Sequence, residues 1–132
     1  MSTRIPALVV GGTGYVAGEL LRLVAQHPGL RLAGVSSESQ ACTPLAPAFP
    51  HLSPLLGAEP FVTQDELAAK LGAGRFAVFS AAPHAVSAEV IGRLLAAADK
   101  KGAQASVVDA SADFRFPAAA DFEAVYKHAH GA

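Results

Sequence analysis

The stretch Val9-Val10-Gly11-Gly12-Thr13-Gly14-Tyr15-Val16-Ala17-Gly18-Glu19-Leu20-Leu21 decides how the rest of the chain can fold. An apolar run, residues 5–10, enters a glycine cluster that leads directly into a helical pattern. This order of strand, tight turn and helix is typical of the opening of a dinucleotide-binding unit. Glycines let backbone N–H groups approach a pyrophosphate because no Cβ intervenes, and the following helix directs its positive end toward the same phosphates. The spacing Gly12-x-Gly14-x-x-Ala17 fits the looser form of the motif, so the turn predicts a nucleotide without naming it.

Length and composition indicate one folded domain. The 132 residues suffice for a single core, and 52% apolar against 16% charged side chains is the balance of a globular protein. The net charge of −1, without a basic stripe, argues against a nucleic-acid partner. One cysteine excludes an internal disulfide, and no apolar run reaches the ~20 residues that span a bilayer, so no membrane association is expected. No signal-like core follows the first residues, so the expected location is cytoplasmic.

Apolar runs and helical patterns alternate along the chain. Strands are predicted at residues 5–10, 30–36, 76–80 and 105–109, and helices at residues 15–27, 65–71, 86–98 and 118–128. The stripes predicted to face a sheet are Val16, Leu20, Leu21, Leu23 and Val24 in the first helix, and Val86, Val90, Leu94 and Leu95 in the third. Right-handed crossovers then build an α/β fold, a doubly wound, Rossmann-like parallel sheet with helices on both faces.

Residues 37–60 interrupt this alternation. They contain five of the nine prolines, Pro44, Pro47, Pro50, Pro54 and Pro60. A structureless connection of this length is more often a functional loop than a spacer. Beyond this segment, Phe61-Val62 is a candidate for a short strand, and Thr63 with Glu66 three residues on predicts a capped helix start.

Several polar side chains follow predicted strand ends, where ligands bind in such sheets. Glu38 stands 20 residues (38 − 18) after Gly18, where an acid accepts hydrogen bonds from an adenosine ribose and repels a 2′-phosphate. The alternative is a solvated loop residue. The neighbouring hydroxyls are equally able to donate to a 2′-phosphate; they belong to Ser36, Ser37 and Ser39.

Later strand ends carry further candidates. His84 either lines the site or caps the helix that follows it. Asp113 and Arg115 either form a structural ion pair or leave Arg115 to hold an anionic substrate bidentately. Cys42 lies in the proline-rich loop without a helix start or base nearby, which does not favour a nucleophile. The remaining histidines show no metal-ligand spacing, so no metal is expected; they are His51, His128 and His130, the last two read as a solvated chain end.

Taken together, six segments resemble the N-acetyl-γ-glutamyl-phosphate reductase family of arginine biosynthesis. The two most specific are Pro83-His84-Ala85-Val86-Ser87-Ala88-Glu89 and Ser111-Ala112-Asp113-Phe114-Arg115; the others are the glycine turn with residues 17–23, His27-Pro28, Val35-Ser36-Ser37, and Phe49-Pro50-His51-Leu52. The resemblance covers nearly the whole chain. It implies an oxidoreductase that uses NADPH to reduce the acyl phosphate to N-acetylglutamate semialdehyde, releasing phosphate, with a cysteine nucleophile and a histidine acid/base.

The resemblance makes residues 1–132 an NAD(P)-binding domain. The family's cysteine and histidine come in a catalytic and dimerisation domain after Ala132, and Cys42 does not match that cysteine. No catalytic residue is therefore expected in this chain, which is predicted to bind nucleotide but to be inactive alone. The fold is expected to be truncated at its C-terminal side, with apolar surface that the missing half covers. The full-length protein is expected to be a homo-oligomer acting on a small-molecule substrate.

The resemblance also assigns contacts. The pyrophosphate is expected at Gly11, Gly12, Thr13, Gly14, Tyr15 and Val16, the adenosine ribose at Ser36, Ser37 and Glu38, the nicotinamide side at Ala82, Pro83 and His84, and the substrate at Ser111 and Arg115. Glu38 stands where the family often has a basic residue, so NAD is an alternative to NADP. Two other readings stay open: an amino-adipyl-phosphate reductase of lysine biosynthesis, and a non-catalytic nucleotide-binding module or redox sensor.

Overall fold

Strands and helices alternate along the chain as predicted. The computed structural model describes residues 3–11, 13–56, 59–127 and 129–131. The strands are β1 (Ile5–Val10), β2 (Leu30–Val35), β3 (Gly74–Ser80) and β4 (Ala103–Asp109). The α-helices are α1 (Tyr15–Gln26), α2 (Ser53–Leu56), α3 (Gln64–Ala69), α4 (Val86–Lys101) and α5 (Ala119–Tyr126).

The strands form one parallel sheet in the order β2-β1-β3-β4. Beyond β2, Val62 makes a parallel bridge with Ser36 and donates its N–H to the Val35 carbonyl at 2.9 Å. The strand suggested at Phe61-Val62 is thus reduced to one bridge. If this bridge is counted as a strand, the strands lie side by side in the order bridge, β2, β1, β3, β4. Numbered by their position along the chain, they are the third, second, first, fourth and fifth. This is the order of a doubly wound sheet, and it reverses between β1 and β3.

Helices cover both faces of the sheet, which confirms the predicted fold class. Successive residues of a strand point to opposite faces, so Leu8 and Val9 enter different cores. On one face α3 and α4 supply buried residues that include Leu67, Val90 and Leu94. On the other face Leu21 of α1 packs with Leu45, Phe49 and Leu52 of the proline-rich segment, and with Phe61 just after it.

The buried faces of the helices differ from those predicted. Val16 and Leu23 of α1 are 52% and 54% exposed, whereas Ala17, Leu21 and Val24 are buried. Phe49 packs close to Gly18 on this buried face, where an added Cβ would lie 3.1 Å from the ring. In α4, Val86 and Leu95 are also exposed, and the buried side is Ser87, Ala88, Val90, Ile91, Leu94 and Ala98.

The proline-rich segment is structured, which corrects the expectation of a structureless loop. It contains a 3₁₀ turn at Pro50–Leu52 followed by α2, and Pro44 bridges Pro60. Its apolar residues, Leu45 and Phe49 among them, are buried against α1. The segment therefore acts as a second cover for the sheet beside α1.

Two helix ends show well-defined capping, and the first of them matches the predicted capped start. At the start of α3, Thr63 Oγ1 accepts the N–H of Glu66 at 3.1 Å, while Glu66 Oε2 accepts the N–H of Thr63 at 2.8 Å. Gly102 ends α4 with a φ of 68°, a left-handed conformation that suits glycine.

At the sheet edge, Val108 of β4 is 58% exposed. Within the described residues, no helix is both long and apolar enough to cross a membrane.

Candidate nucleotide-binding site

The turns after β1 and β3 meet where the strand order reverses. Gly11 has a φ of +75°, and a Cβ added to it would lie 2.7 Å from both the N and the Cα of Ala82. Ala81 donates its N–H to the Val10 carbonyl at 2.8 Å, which ties the two strand ends together. Any side chain at residue 11 would therefore push the turns apart. The reversal point is also where doubly wound sheets bind their ligands.

The start of α1 next to this contact is open. Gly14 is the N-cap residue, no side chain caps the helix, and a Cβ on Gly14 would meet nothing within 4 Å. Thr13, Gly14 and Tyr15 are exposed, with Tyr15 at 98%. The first turn contains no acidic residue. An uncapped, exposed helix start of this kind is suited to an anion such as phosphate.

A cavity of about 420 Å³ lies at this helix start. The proline-rich segment supplies one wall, with Ala48, Phe49 and His51; the glycine turn and α1 supply the other, with Thr13, Gly14, Tyr15, Gly18 and Glu19. Glu19 forms a 2.7 Å ion pair with Arg22, and the hydrogen bond from this guanidinium lowers the pKa of the Glu19 carboxyl, aided by its positive charge. Pairing with Arg22 offsets a negative charge that would oppose a phosphate.

The end of β2 combines an unpaired hydroxyl with an anchored carboxylate. Ser36 Oγ is the one buried side-chain polar atom without a hydrogen-bond partner in the part of the chain that the structure describes. Two residues on, Glu38 Oε1 accepts the N–H of Gln64, the first residue of α3, at 2.8 Å. The Glu38 side chain is therefore anchored to the start of α3 by one of its two carboxylate oxygens.

His84 pins one loop to another instead of capping α4. The Ala112 N–H donates to His84 Nδ1 at 2.9 Å, and the imidazole stacks on Tyr126 at a ring separation of 5.8 Å. Because Nδ1 accepts this bond, the ring hydrogen is on Nε2, which is left as a donor. His84 is exposed, so this donor is accessible to a ligand.

Asp113 is buried, and its carboxylate holds the start of α4. It is 1% exposed and accepts the N–H groups of Ala85 at 2.7 Å and Ala88 at 2.9 Å. The two salt bridges within the described residues, Arg22–Glu19 and Arg93–Glu89, lie on helix surfaces. The suggested ion pair of Asp113 with Arg115 is therefore wrong, because the helix start takes the carboxylate.

Arg115 remains available to an anion. It is exposed and donates from Nη1 to the Tyr126 hydroxyl at 2.5 Å, with its guanidinium carbon 5.9 Å from the centre of that ring. Arg115 and Ser111 line a second cavity of about 550 Å³ together with Asp109 and Phe114. None of its lining residues is shared with the cavity at the glycine turn. The two predicted substrate contacts thus lie together, but apart from the predicted pyrophosphate site.

Comparison with known proteins agrees with this geometry. The sequence pattern of the family described as semialdehyde dehydrogenase, NAD binding domain, matches residues 6–128. The chain belongs to this family. The Gly11–Ala82 contact and the uncapped start of α1 give this NAD-binding domain the features that a dinucleotide needs.

Several curated relatives of this NAD-binding domain are N-acetyl-gamma-glutamyl-phosphate reductases. The N-acetyl-gamma-glutamyl-phosphate reductase of Pseudomonas putida strain W619 is 40% identical over 124 residues, 94% of this chain and 33% of the relative. Its counterpart in P. putida strain F1 is 42% identical over the same shares, and that of Nitrosococcus oceani 38% identical over 97% of this chain and 35% of the relative. The chain thus spans about a third of the length of the curated relatives it matches. The family resemblance inferred from the motifs is confirmed.

Other side chains of this NAD-binding domain lie away from the glycine turn or outside the described residues. Cys42 is exposed, with a φ of 68°, and its N–H donates to the Phe61 carbonyl at 2.8 Å. No group of three or more histidine, cysteine or carboxylate side chains that could hold a metal occurs within the described ranges. Gly12 and His128 lie outside them.

Sequence reasoning missed the far wall of the first cavity. Phe49 and His51 were recognised only as part of a family-like segment and received no role. The available signal was their place in a long connection beside the glycine turn, since such connections are often functional. Tyr126, which contacts both His84 and Arg115, gave no signal in the sequence.

Proposed function

We propose that this chain holds a nicotinamide dinucleotide across the turns after β1 and β3. The observation that carries this proposal is the contact between Gly11 and the backbone of Ala82, beside an uncapped helix start. N–H groups at the start of α1, from Tyr15 and Val16, would bind the pyrophosphate. Ser36, whose buried hydroxyl lacks a partner, would lie with Ser37 and Glu38 near the adenosine ribose. The Ala82–His84 turn would border the nicotinamide.

We further propose that the whole protein is an N-acetyl-γ-glutamyl-phosphate reductase. The identity with proteins of this name supports it. The dinucleotide would supply the hydride that converts an acyl phosphate into an aldehyde. This chain would bind and orient the cofactor, while the nucleophile would come from elsewhere in the protein, because Cys42 lines neither the cavity at the glycine turn nor the one beside Arg115. Arg115, without a carboxylate partner within the described residues, would hold an anionic group of the small-molecule substrate.

The remaining expectations for the whole protein belong to the same proposal. It would act in the cytoplasm as a homo-oligomer, with NADPH as the cofactor implied by the resemblance. The chain alone would show no turnover of N-acetyl-γ-glutamyl phosphate with NADPH. Steady oxidation of NADPH by this purified chain would contradict that division of labour.

A Gly11→Ala variant tests the binding site directly. Its Cβ would lie 2.7 Å from the Ala82 backbone and residue 11 has a positive φ, so the two turns must separate. We expect the affinity for NADPH and NADH, titrated by fluorescence, to fall by about a hundredfold or more, as a clash of several kcal/mol would produce.

Gly92→Ala is the matched control. An added Cβ at Gly92 of α4 meets nothing within 4 Å, so this variant should bind both dinucleotides as the unmutated chain does. Equal affinities in the two variants would exclude the glycine turn as the binding site. Absence of binding by the unmutated chain would refute the proposed function altogether.

A further inference from the structure

A chain of hydrogen bonds joins the end of β4 to the turn after β3. Ser87 Oγ donates to Asp109 Oδ1 at 2.8 Å, and Ser80 Oγ lies 2.7 Å from Ser87 Oγ. Ala82 donates its N–H to Ser80 Oγ at 3.3 Å. Ser80 and Ser87 are wholly buried, so water does not compete for these bonds.

The direction of the chain follows from the number of hydrogens. A serine hydroxyl has one hydrogen, and that of Ser87 is used on the Asp109 carboxylate. Ser80 must therefore donate to Ser87, which leaves its lone pairs to accept from Ala82. All donors point the same way and end on a carboxylate, an arrangement in which each bond polarises the next.

Asp109 also orders the segment that follows it. Its Oδ1 accepts the Ser111 N–H and its Oδ2 the Ser111 hydroxyl, both at 2.9 Å, and Ser111 Oγ in turn accepts the Asp113 N–H at 3.1 Å. The Asp113 carboxylate then holds Ala85, whose φ of 70° is unfavourable for a residue with a Cβ. The turn at residues 81–85 is thus held near one end by the hydroxyl of Ser80 and at the other by the carboxylate of Asp113, and hydrogen bonds link both groups to Asp109.

We propose that Asp109 is a positioning residue for the nicotinamide side of the site, acting through Ser87 and Ser80. The proposal rests on the proposed function, because it takes the turn at residues 81–85 as the nicotinamide border. That turn contacts the glycine turn at Ala82, so a displacement of Ala82 changes the shape of the proposed dinucleotide-binding site. The adenosine half of the dinucleotide, expected at the end of β2, makes no use of this chain of bonds.

The test compares two ligands that differ at the nicotinamide. One is NADPH, and the other is 2′-phospho-ADP-ribose, which has the same adenosine half and pyrophosphate but no nicotinamide. Ser87→Ala removes the middle hydroxyl. We expect it to weaken NADPH binding about tenfold, the effect of losing one buried hydrogen bond, and to change 2′-phospho-ADP-ribose binding by less than about twofold.

Two further variants keep the result interpretable. Ser106→Ala is the control, because Ser106 is an exposed serine on the same strand as Asp109, and it should leave both affinities unchanged. Asp109→Ala removes the carboxylate that accepts the hydroxyls of Ser87 and Ser111. It should reproduce the selective loss, and it decides the matter if circular dichroism shows Ser87→Ala unfolded.

An equal loss of affinity for both ligands in Ser87→Ala and Asp109→Ala would mean that the hydrogen bonds serve stability alone and would overturn the proposal. Unchanged affinities for both ligands in these variants would overturn it as well. If the unmutated chain binds neither ligand, the proposed function fails and the positioning role with it. Binding by the unmutated chain with an unaltered preference in both variants removes only the positioning role.

Discussion

The turns that follow β1 and β3 touch each other but are held in opposite ways. The turn after β1 depends on missing side chains: Gly11 fits only because it has no Cβ, and no side chain caps the helix that follows. The turn after β3 depends on side chains that are present, since Ser80 and Asp113 accept its N–H groups and the hydroxyl of Ser87 bonds that of Ser80. Adding a side chain should therefore disrupt the turn after β1, whereas removing a side chain should disrupt the turn after β3.

The difference has a functional meaning. The start of α1 has no side-chain cap, which leaves its first N–H groups available to an anion. The turn after β3 uses its N–H groups internally, at Ala82 and Ala85, so it offers a wall of fixed shape. One side is suited to bind charge and the other to position a neutral ring.

Removing the Asp113 carboxylate should have the largest effect on stability. Asp113→Ala leaves the N–H groups of Ala85 and Ala88 unpaired at a buried helix start, and each such group costs about 1–3 kcal/mol. We expect the free energy of unfolding, from urea titration followed by circular dichroism, to fall by about 3 kcal/mol.

The comparison for this variant is Asp121→Ala in the exposed first turn of α5. An exposed site of this kind should change stability by no more than about 0.5 kcal/mol. Asp113→Asn retains one acceptor and should fall between the two. If Asp113→Ala unfolds at the same urea concentration as Asp121→Ala, the side-chain clamp on α4 does not contribute to the fold.

At the glycines the expected response is the reverse, because an added methyl group should lower stability wherever it meets a neighbouring group. Gly→Ala within a helix gains about 1 kcal/mol when nothing is in the way, which is the expectation for Gly92. At Gly18 of α1 the new methyl group would lie 3.1 Å from the buried Phe49 ring. Gly18→Ala should therefore be less stable than Gly92→Ala by about 1 kcal/mol or more.

Phe49→Leu supplies the check on this explanation. With a smaller side chain at residue 49, Gly18→Ala should regain the stabilisation that it lacks in the unmutated background. Thermal unfolding of the four combinations measures this coupling. Additive effects of the two substitutions would show that contact with Phe49 does not set the cost at Gly18.

The two sides also differ in how far they could be predicted. The glycine turn was predictable because strand, glycines and helix follow one another directly, and β1 and the start of α1 lie where expected. The cap of α3 was predictable for the same reason, since Thr63 and Glu66 are three residues apart. Local spacing is sufficient when both partners lie within one turn.

Contacts between distant segments were not predictable in this way. Asp113 was read with its near neighbour Arg115, but its real partners, Ala85 and Ala88, lie 28 and 25 residues earlier. The exposed face of α1 was misjudged because its buried side also packs against a separate segment, from which Phe49 reaches Gly18. Such pairings are set by tertiary packing, which periodicity within one helix does not report.

The end of β2 has features of both turns, since the Ser36 hydroxyl lacks a partner while the Glu38 carboxylate has one. The smallest predicted effect concerns Glu38. Its carboxylate binds the start of α3, where Asp65 and Glu66 add further negative charge, so a 2′-phosphate there would meet repulsion. We expect the unmutated chain to prefer NADPH over NADH by less than about tenfold, a difference of about 1.4 kcal/mol.

Glu38→Gln separates the charge of this side chain from its hydrogen bond. The amide oxygen can still accept the Gln64 N–H, so the end of β2 should keep its shape while one negative charge is lost. Affinity for NADPH relative to NADH should rise by about threefold to tenfold, as expected for a single exposed charge, and the gain should shrink as salt is added. Glu59→Gln, another exposed glutamate, should leave the ratio unchanged. A strong NADPH preference in the unmutated chain, unaffected by Glu38→Gln, would show that Glu38 serves only to anchor α3.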